Sequence, residues 1–167
     1  MGWLAFAWGL LGVVALLSQA LVRLGLLAWE AIDGGLSTGQ WVGLVAWVVV
    51  MAHSEGYRGF HRRFSPRVVA RALHLRRNPT PIRVALAPLF CMSLFGASPR
   101  GMKVARLVVL GIVSLVLVVR MLEQPWRGII DAGVVVGLGI GLLSLFGFVV
   151  SAAFGRPPGI DPDLAEG

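Results

Sequence analysis

The strongest constraint on this chain is the length of its uncharged apolar runs. From Trp3 to about Val22 no residue carries a charge, and the run ends at Arg23. About 20 apolar residues in a helix, and roughly 17 at the least, cross the roughly 30 Å hydrocarbon core of a bilayer. Three further stretches reach that length: Ser37 to His53, Val104 to Leu122, and Gly128 to about Phe154. The composition is 57% hydrophobic and 14% charged, against about 45–50% and about 25% in globular domains. A small core cannot absorb that excess, so the bilayer is the expected place of burial.

The ends of these stretches carry recognisable signals. Asp33-Gly34-Gly35 is a turn, and Ser37 with Gln40 three residues later makes a capping box for the second helix. Arg106 and Arg120 lie near the ends of the third stretch, where long side chains snorkel to the headgroups. Pro125-Trp126 marks the start of the fourth, which is long enough to cross with tilt. Ser18-Gln19-Ala20 resembles a cleavage site, but no Lys or Arg precedes the first apolar run, so that run is expected to be retained as a span.

Val84 to Ser98 is apolar but has fifteen residues and contains Pro88. That length suits a re-entrant or interfacial segment. Between His53 and Val84 there are eight arginines and one Glu, which predicts a cytoplasmic loop. Arg100, Lys103 and Arg106 join that side if 84–98 dips in and returns, and break the rule if it crosses. The expected fold is therefore an all-α integral membrane protein with four transmembrane helices plus a short re-entrant or interfacial segment. Five transmembrane helices are the alternative. Residues 1–154 form one helical membrane domain, with a basic amphipathic loop at 54–83 and an extended or disordered tail at 155–167. Both termini are expected in the cytoplasm. Trp29, Trp41 and Trp126 then fall at the outer interface and Trp3 at the inner one, while Trp8 and Trp47 read as packing residues.

The net charge of +7 raises nucleic acid as a partner, but the basic residues lie between apolar runs and no recognition module is visible. The single Cys91 leaves no intramolecular disulfide and no cysteine-based zinc site. In Phe60–Asn78 six arginines occur in nineteen residues. Ser65-Pro66 is expected to start a helix, with Val68, Val69, Ala72, Leu73 and Leu75 on one face and Arg67, Arg71 and His74 opposite. Such a helix lies in the membrane interface, with its arginines among anionic headgroups. Arg58, Arg62, Arg63, Arg67, Arg71 and Arg77 are accordingly the candidate lipid- or phosphate-binding residues.

Two further clusters carry ionisable groups. His53, Glu55 and His61, with Tyr57, form a polar cluster at the end of the second stretch, from which an acid/base site could be assembled. No catalytic spacing accompanies it, and the plainer reading has these groups ending the span. Asp131, with Arg127 and Arg120, is the candidate intramembrane ionisable site. Gly133, Gly137 and Gly141, four residues apart, form a flat stripe for helix packing or for a homo-oligomer. No metal or other cofactor is predicted.

The arrangement resembles that of small bacterial inner-membrane proteins, which implies a multi-pass protein of that membrane and transfers no active site. The function expected is a non-catalytic organising or accessory protein with its Arg-rich helix on anionic lipid, open to a membrane protein partner. A small oligomeric transporter or channel and a lipid-headgroup enzyme are the alternatives.

Overall fold

The computed structural model describes residues 2–165, and its elements are helical. They are α1 (Gly2–Asp33), α2 (Thr38–Met51), a π-helical segment (Ala52–Phe64), α3 (Ser65–Arg77), α4 (Pro81–Ala85), α5 (Ala87–Cys91), α6 (Pro99–Val119) and α7 (Trp126–Ala153). Three of them, α1, α6 and α7, are long and apolar enough to cross a membrane, at 32, 21 and 28 residues. The chain is thus an all-α protein consistent with a multi-pass helical bundle.

The stretch expected as the second span behaves differently. The α-helix covers 14 residues, then widens into the 13-residue π segment and reverts to α-helix without a break. The helix starts as its capping box predicts: Ser37 N–H donates to Gln40 Oε1 at 2.9 Å, and Gln40 N–H to Ser37 Oγ at 3.4 Å. No turn occurs at Gly56 and Gly59, so the region expected as a loop from residue 54 begins as helix. Gly56 instead lets the helix approach α7, where a Cβ would meet Ile140 at 2.7 Å. π-helix is found mostly as single turns, often at functional sites.

Ser65-Pro66 also differs from expectation. The chain is already helical before it, and Ser65 does not cap. Its buried hydroxyl donates to the Gly141 carbonyl at 3.2 Å. The return from π to α geometry falls here, where Pro66 has no N–H to offer the ladder.

Packing centres on α7, which contacts α1, α2, the π segment and α3. One apolar core joins Ala5 and Val13 of α1, Val68, Val69 and Leu75 of α3, Phe90 and Leu145. A smaller one at the other end joins Ala28, Leu44, Ile129 and Ala132. Between them runs the glycine stripe, and it is occupied from within the chain. A Cβ on Gly133 would strike the Trp47 ring, one on Gly137 would meet Glu55 Cβ at 3.3 Å, and one on Gly141 would meet the Phe60 ring at 2.7 Å. Gly133, Gly137 and Gly141 are therefore not an open oligomer surface, because α2 and the π segment cover them. Trp47 packs as expected and donates from Nε1 to the Ile130 carbonyl at 3.1 Å. Trp8, expected to pack, is 53% exposed.

The segment 84–98 takes in the end of α4, the five-residue α5 and a loop turned by Ser93 and Gly96, both at positive φ. Pro88 sits on Gly12, and Cys91 would meet a Cβ on Gly9 at 2.9 Å. The tail runs extended after α7 and returns to this loop, where Ala97 bridges Leu164 and Ser98 N–H donates to the Asp163 carbonyl at 3.1 Å.

Gly141→Ala is expected to destabilise the protein by about 1–3 kcal/mol, the usual effect of overpacking. Gly111→Ala, where a Cβ meets nothing within 4 Å, should be neutral; thermal unfolding of both in detergent checks the difference.

Candidate functional site

Arg71 changes role between sequence and structure. Its position in α3 put it on the polar face, but α3 is covered on both sides and Arg71 is fully buried. It is therefore removed from the set of lipid-facing arginines. The reason is the chain that follows: 87–97 and the tail fold over what would have been the wet face of α3. Nε donates to the Phe90 carbonyl at 2.5 Å, Nη2 to the Phe95 carbonyl at 2.8 Å, and Nη1 to the carbonyls of Pro162 and Asp163 at 2.8 and 3.0 Å. The guanidinium also lies over the Phe90 ring, 4.1 Å from its centroid.

Burial lowers Arg71 to about 10, so it stays charged at neutral pH. Burial also raises the neighbouring Cys91 thiol to about 12 and keeps it neutral, which leaves the Asp163 carboxylate as the working counter-charge. His74, on the same helix, is pushed down by burial first and then by Arg83, Arg71 and Arg77. A histidine with a lowered folded pKa binds its proton more readily when unfolded. It leaves stability untouched well above its ordinary pKa of about 6.5 and lowers it progressively as pH falls below that value.

Of the other arginines, Arg58, Arg62, Arg63 and Arg77 are exposed and Arg67 is partly buried. Arg67 Nε has no hydrogen-bond partner. Among the described residues none of these five forms an ion pair. Arg76 covers the Trp3 ring at 4.2 Å, which ties the end of α3 to the start of α1.

The polar cluster His53, Glu55, His61 does not converge. His53, Tyr57 and His61 form a column, with ring centroids 6.1 and 5.5 Å apart. Spacing of four residues in the π segment stacks them on one side. His61 Nδ1 pairs with Ser144 Oγ at 3.0 Å, and its ring lies 5.5 Å from Phe148. Glu55 is turned away from this column toward Gly137. Among the described residues no group of three or more His, Cys, Asp and Glu is placed to hold a metal ion.

The third set does come together. Asp131 is buried in α7, and Arg127 Nε lies 3.9 Å from its Oδ2. Both line a cavity of about 280 Å³ with Arg120 at the end of α6 and with Gln19 and Arg23 of α1. The last two were missed as site residues. Arg23 was visible only as the stop of the first apolar run, and Gln19 as part of a rejected cleavage site; nothing local links either to α7. A larger cavity of about 450 Å³, beside Trp8 and Pro88, is almost wholly apolar.

The chain matches no protein-family model, no curated protein and no solved structure. Its chemistry has to be argued from these groups alone.

Arg71→Lys should release the tail, since one ammonium cannot reach carbonyls in both the 90–95 loop and the 162–163 stretch. The expected readout is carboxypeptidase trimming of the variant at a rate that leaves the parent chain intact. His74→Gln is expected to flatten the loss of thermal stability between pH 7 and pH 5, measured against the parent in the same detergent.

Proposed function

We propose that this chain is a non-catalytic organising protein of a bacterial inner membrane whose basic end holds anionic lipid. The observation that carries the reading is the state of the arginines: Arg58, Arg62, Arg63 and Arg77 are exposed, and among the described residues none of them is paired with a carboxylate. Guanidinium groups in that state suit phosphate oxygens, which they take in a planar fork.

In this reading α1, α2 with the π segment, α6 and α7 make four crossings. Trp41 and Arg62 are 21 residues apart on one unbroken helix, a span somewhat under the about 30 Å of an α-helix of that length because 52–62 is π-helical, and close to the thickness of the hydrocarbon core. Pro88 sits at Gly12, ten residues or about 15 Å along α1 from Gly2, so 84–98 enters and returns to meet the tail. Both termini, the basic helix and Arg100 with Lys103 then share the cytoplasmic face, as the charge rule requires. The enzyme alternative loses its support because His53 and Glu55 point apart. The oligomeric transporter loses the glycine stripe on which its assembly rested.

The test is native mass spectrometry of the full chain after exchange into mixed bilayers of a phosphatidylglycerol and a phosphatidylcholine. Each basic residue near the surface contributes about 1 kcal/mol toward anionic lipid. Replacing Arg62 and Arg63 together by Gln should therefore cut the preference for the anionic lipid by roughly tenfold or more. An unchanged preference would sink the proposal.

A further inference from the structure

The cavity around Asp131 has walls of two kinds. Leu16, Leu24 and Leu27 of α1 face Val116 and Val119 of α6 across it, while the guanidiniums of Arg23, Arg120 and Arg127 stand at its polar side. α6 is held at its two ends: its cap Ser98 is bonded to the tail at Asp163, and Val119 in its last turn is its one buried residue among those described. From Arg106 to Val118 the residues of α6 are exposed, and Val116 at the cavity adjoins this apolar surface. A cleft of this build, open sideways between two lipid-exposed helices, suits an amphiphile with its head at the arginines.

Asp131 narrows the chemistry of that head. Its side chain is 7% exposed, and its Oδ2 is buried with no hydrogen-bond partner. Arg127 at 3.9 Å is beyond hydrogen-bond range. A buried acceptor left unmade costs about 1–3 kcal/mol, and more when it is charged. Three guanidiniums against one carboxylate leave room for an anion, but an anion alone does nothing for Asp131. The site is matched by one head carrying both a phosphate and a hydrogen-bond donor. An ammonium is the stronger donor, because a hydrogen bond between two charged groups is roughly twice as strong as a neutral one.

We infer that this cavity binds an ethanolamine phospholipid: Arg23 and Arg120 hold its phosphate, its primary ammonium donates to Asp131, and an acyl chain lies between α1 and α6. A volume of about 280 Å³ is at the lower edge of ordinary ligand sites, which begin at about 300 Å³. It takes the head and the start of one chain, and the remainder lies on α6. A choline head has no N–H to give Asp131, and a glycerol head offers only a neutral hydroxyl. The site is separate from the anionic-lipid surface at the other end of the bundle and does not depend on it.

The experiment exchanges the full chain into bilayers with equal parts of ethanolamine, choline and glycerol phospholipids of the same acyl chains and counts retained lipid by native mass spectrometry. One charge-assisted hydrogen bond corresponds to roughly tenfold in affinity, so the ethanolamine lipid should be enriched about tenfold over the choline lipid. Asp131→Asn should abolish that preference. Arg23→Gln with Arg120→Gln, both exposed positions, should lower retention of all phospholipids at this site. Arg62→Gln with Arg63→Gln should leave the ethanolamine enrichment intact while removing the excess of glycerol lipid, so the two sites fail independently. Equal retention of ethanolamine and choline lipids by the unaltered chain overturns the inference without recourse to any variant. So does an ethanolamine preference that survives Asp131→Asn, or that is matched by the glycerol lipid in the Arg62, Arg63 double variant.

Discussion

One buried cation organises the basic end of this molecule. Taking the Arg71 guanidinium out of water costs several kcal/mol even after relaxation, and its four carbonyl acceptors lie in two stretches that are distant in sequence: Phe90 with Phe95, and Pro162 with Asp163. At about 1.5–3 kcal/mol for a hydrogen bond to a charged group, four such bonds match a penalty of that size and three do so less well. The loop after α5 and the returning tail are therefore held together or not at all. A lysine would bring one charge and no fork. This is why the tail lies against Ala97 and Ser98 although its composition has little apolar surface to bury.

The second constraint is close approach along α7. Gly133, Gly137 and Gly141 let α2 and the π segment lie close against α7, and the side chains that fill the gaps are Trp47, Glu55 and Phe60. With no Cβ in the way, the Gly141 carbonyl is open to the Ser65 hydroxyl. Gly56 and Phe60 of the π segment, four residues apart, meet α7 at Ile140 and Gly141. The same spacing stacks His53, Tyr57 and His61 in another row, whose last ring reaches Ser144 and Phe148 of α7.

Several features were legible in the sequence because the signal was local. The long helices α1, α6 and α7 follow from the length of apolar runs, and the start of α2 follows from Ser37 and Gln40. The fate of Arg71 and Ser65 was not legible, because each depends on a partner more than fifteen residues away. A helical wheel at about 100° per residue puts Arg71 about 160° from Val69 and about 60° from Val68, on the flank of the apolar face. It cannot show that residues 87–97 and 162–164 will cover that face. The glycine stripe was equally ambiguous: spacing shows that a helix approaches, and only the fold shows that the helix belongs to the same chain. At the Asp131 cavity, Asp131, Arg127 and Arg120 could be grouped by their nearness to one turn, while Gln19 and Arg23 reach it only through the antiparallel packing of α1 on α7.

These packing facts bear on how the two ends of the molecule differ. At the basic end Arg71 gives four of its five N–H donors to carbonyls of the chain, and among the described residues the exposed Arg58, Arg62, Arg63 and Arg77 form no ion pair. At the other end Asp131 is paired only with Arg127, at 3.9 Å, and its buried Oδ2 takes no hydrogen bond. One polar centre is thus closed within the chain, and the other keeps an acceptor unmet. The lining of the open one is mixed, with leucine and valine of α1 and α6 beside Arg23, Arg120 and Arg127. That mixture is what a ligand with an apolar part and a polar head would match, which is the basis of the lipid inferred for it.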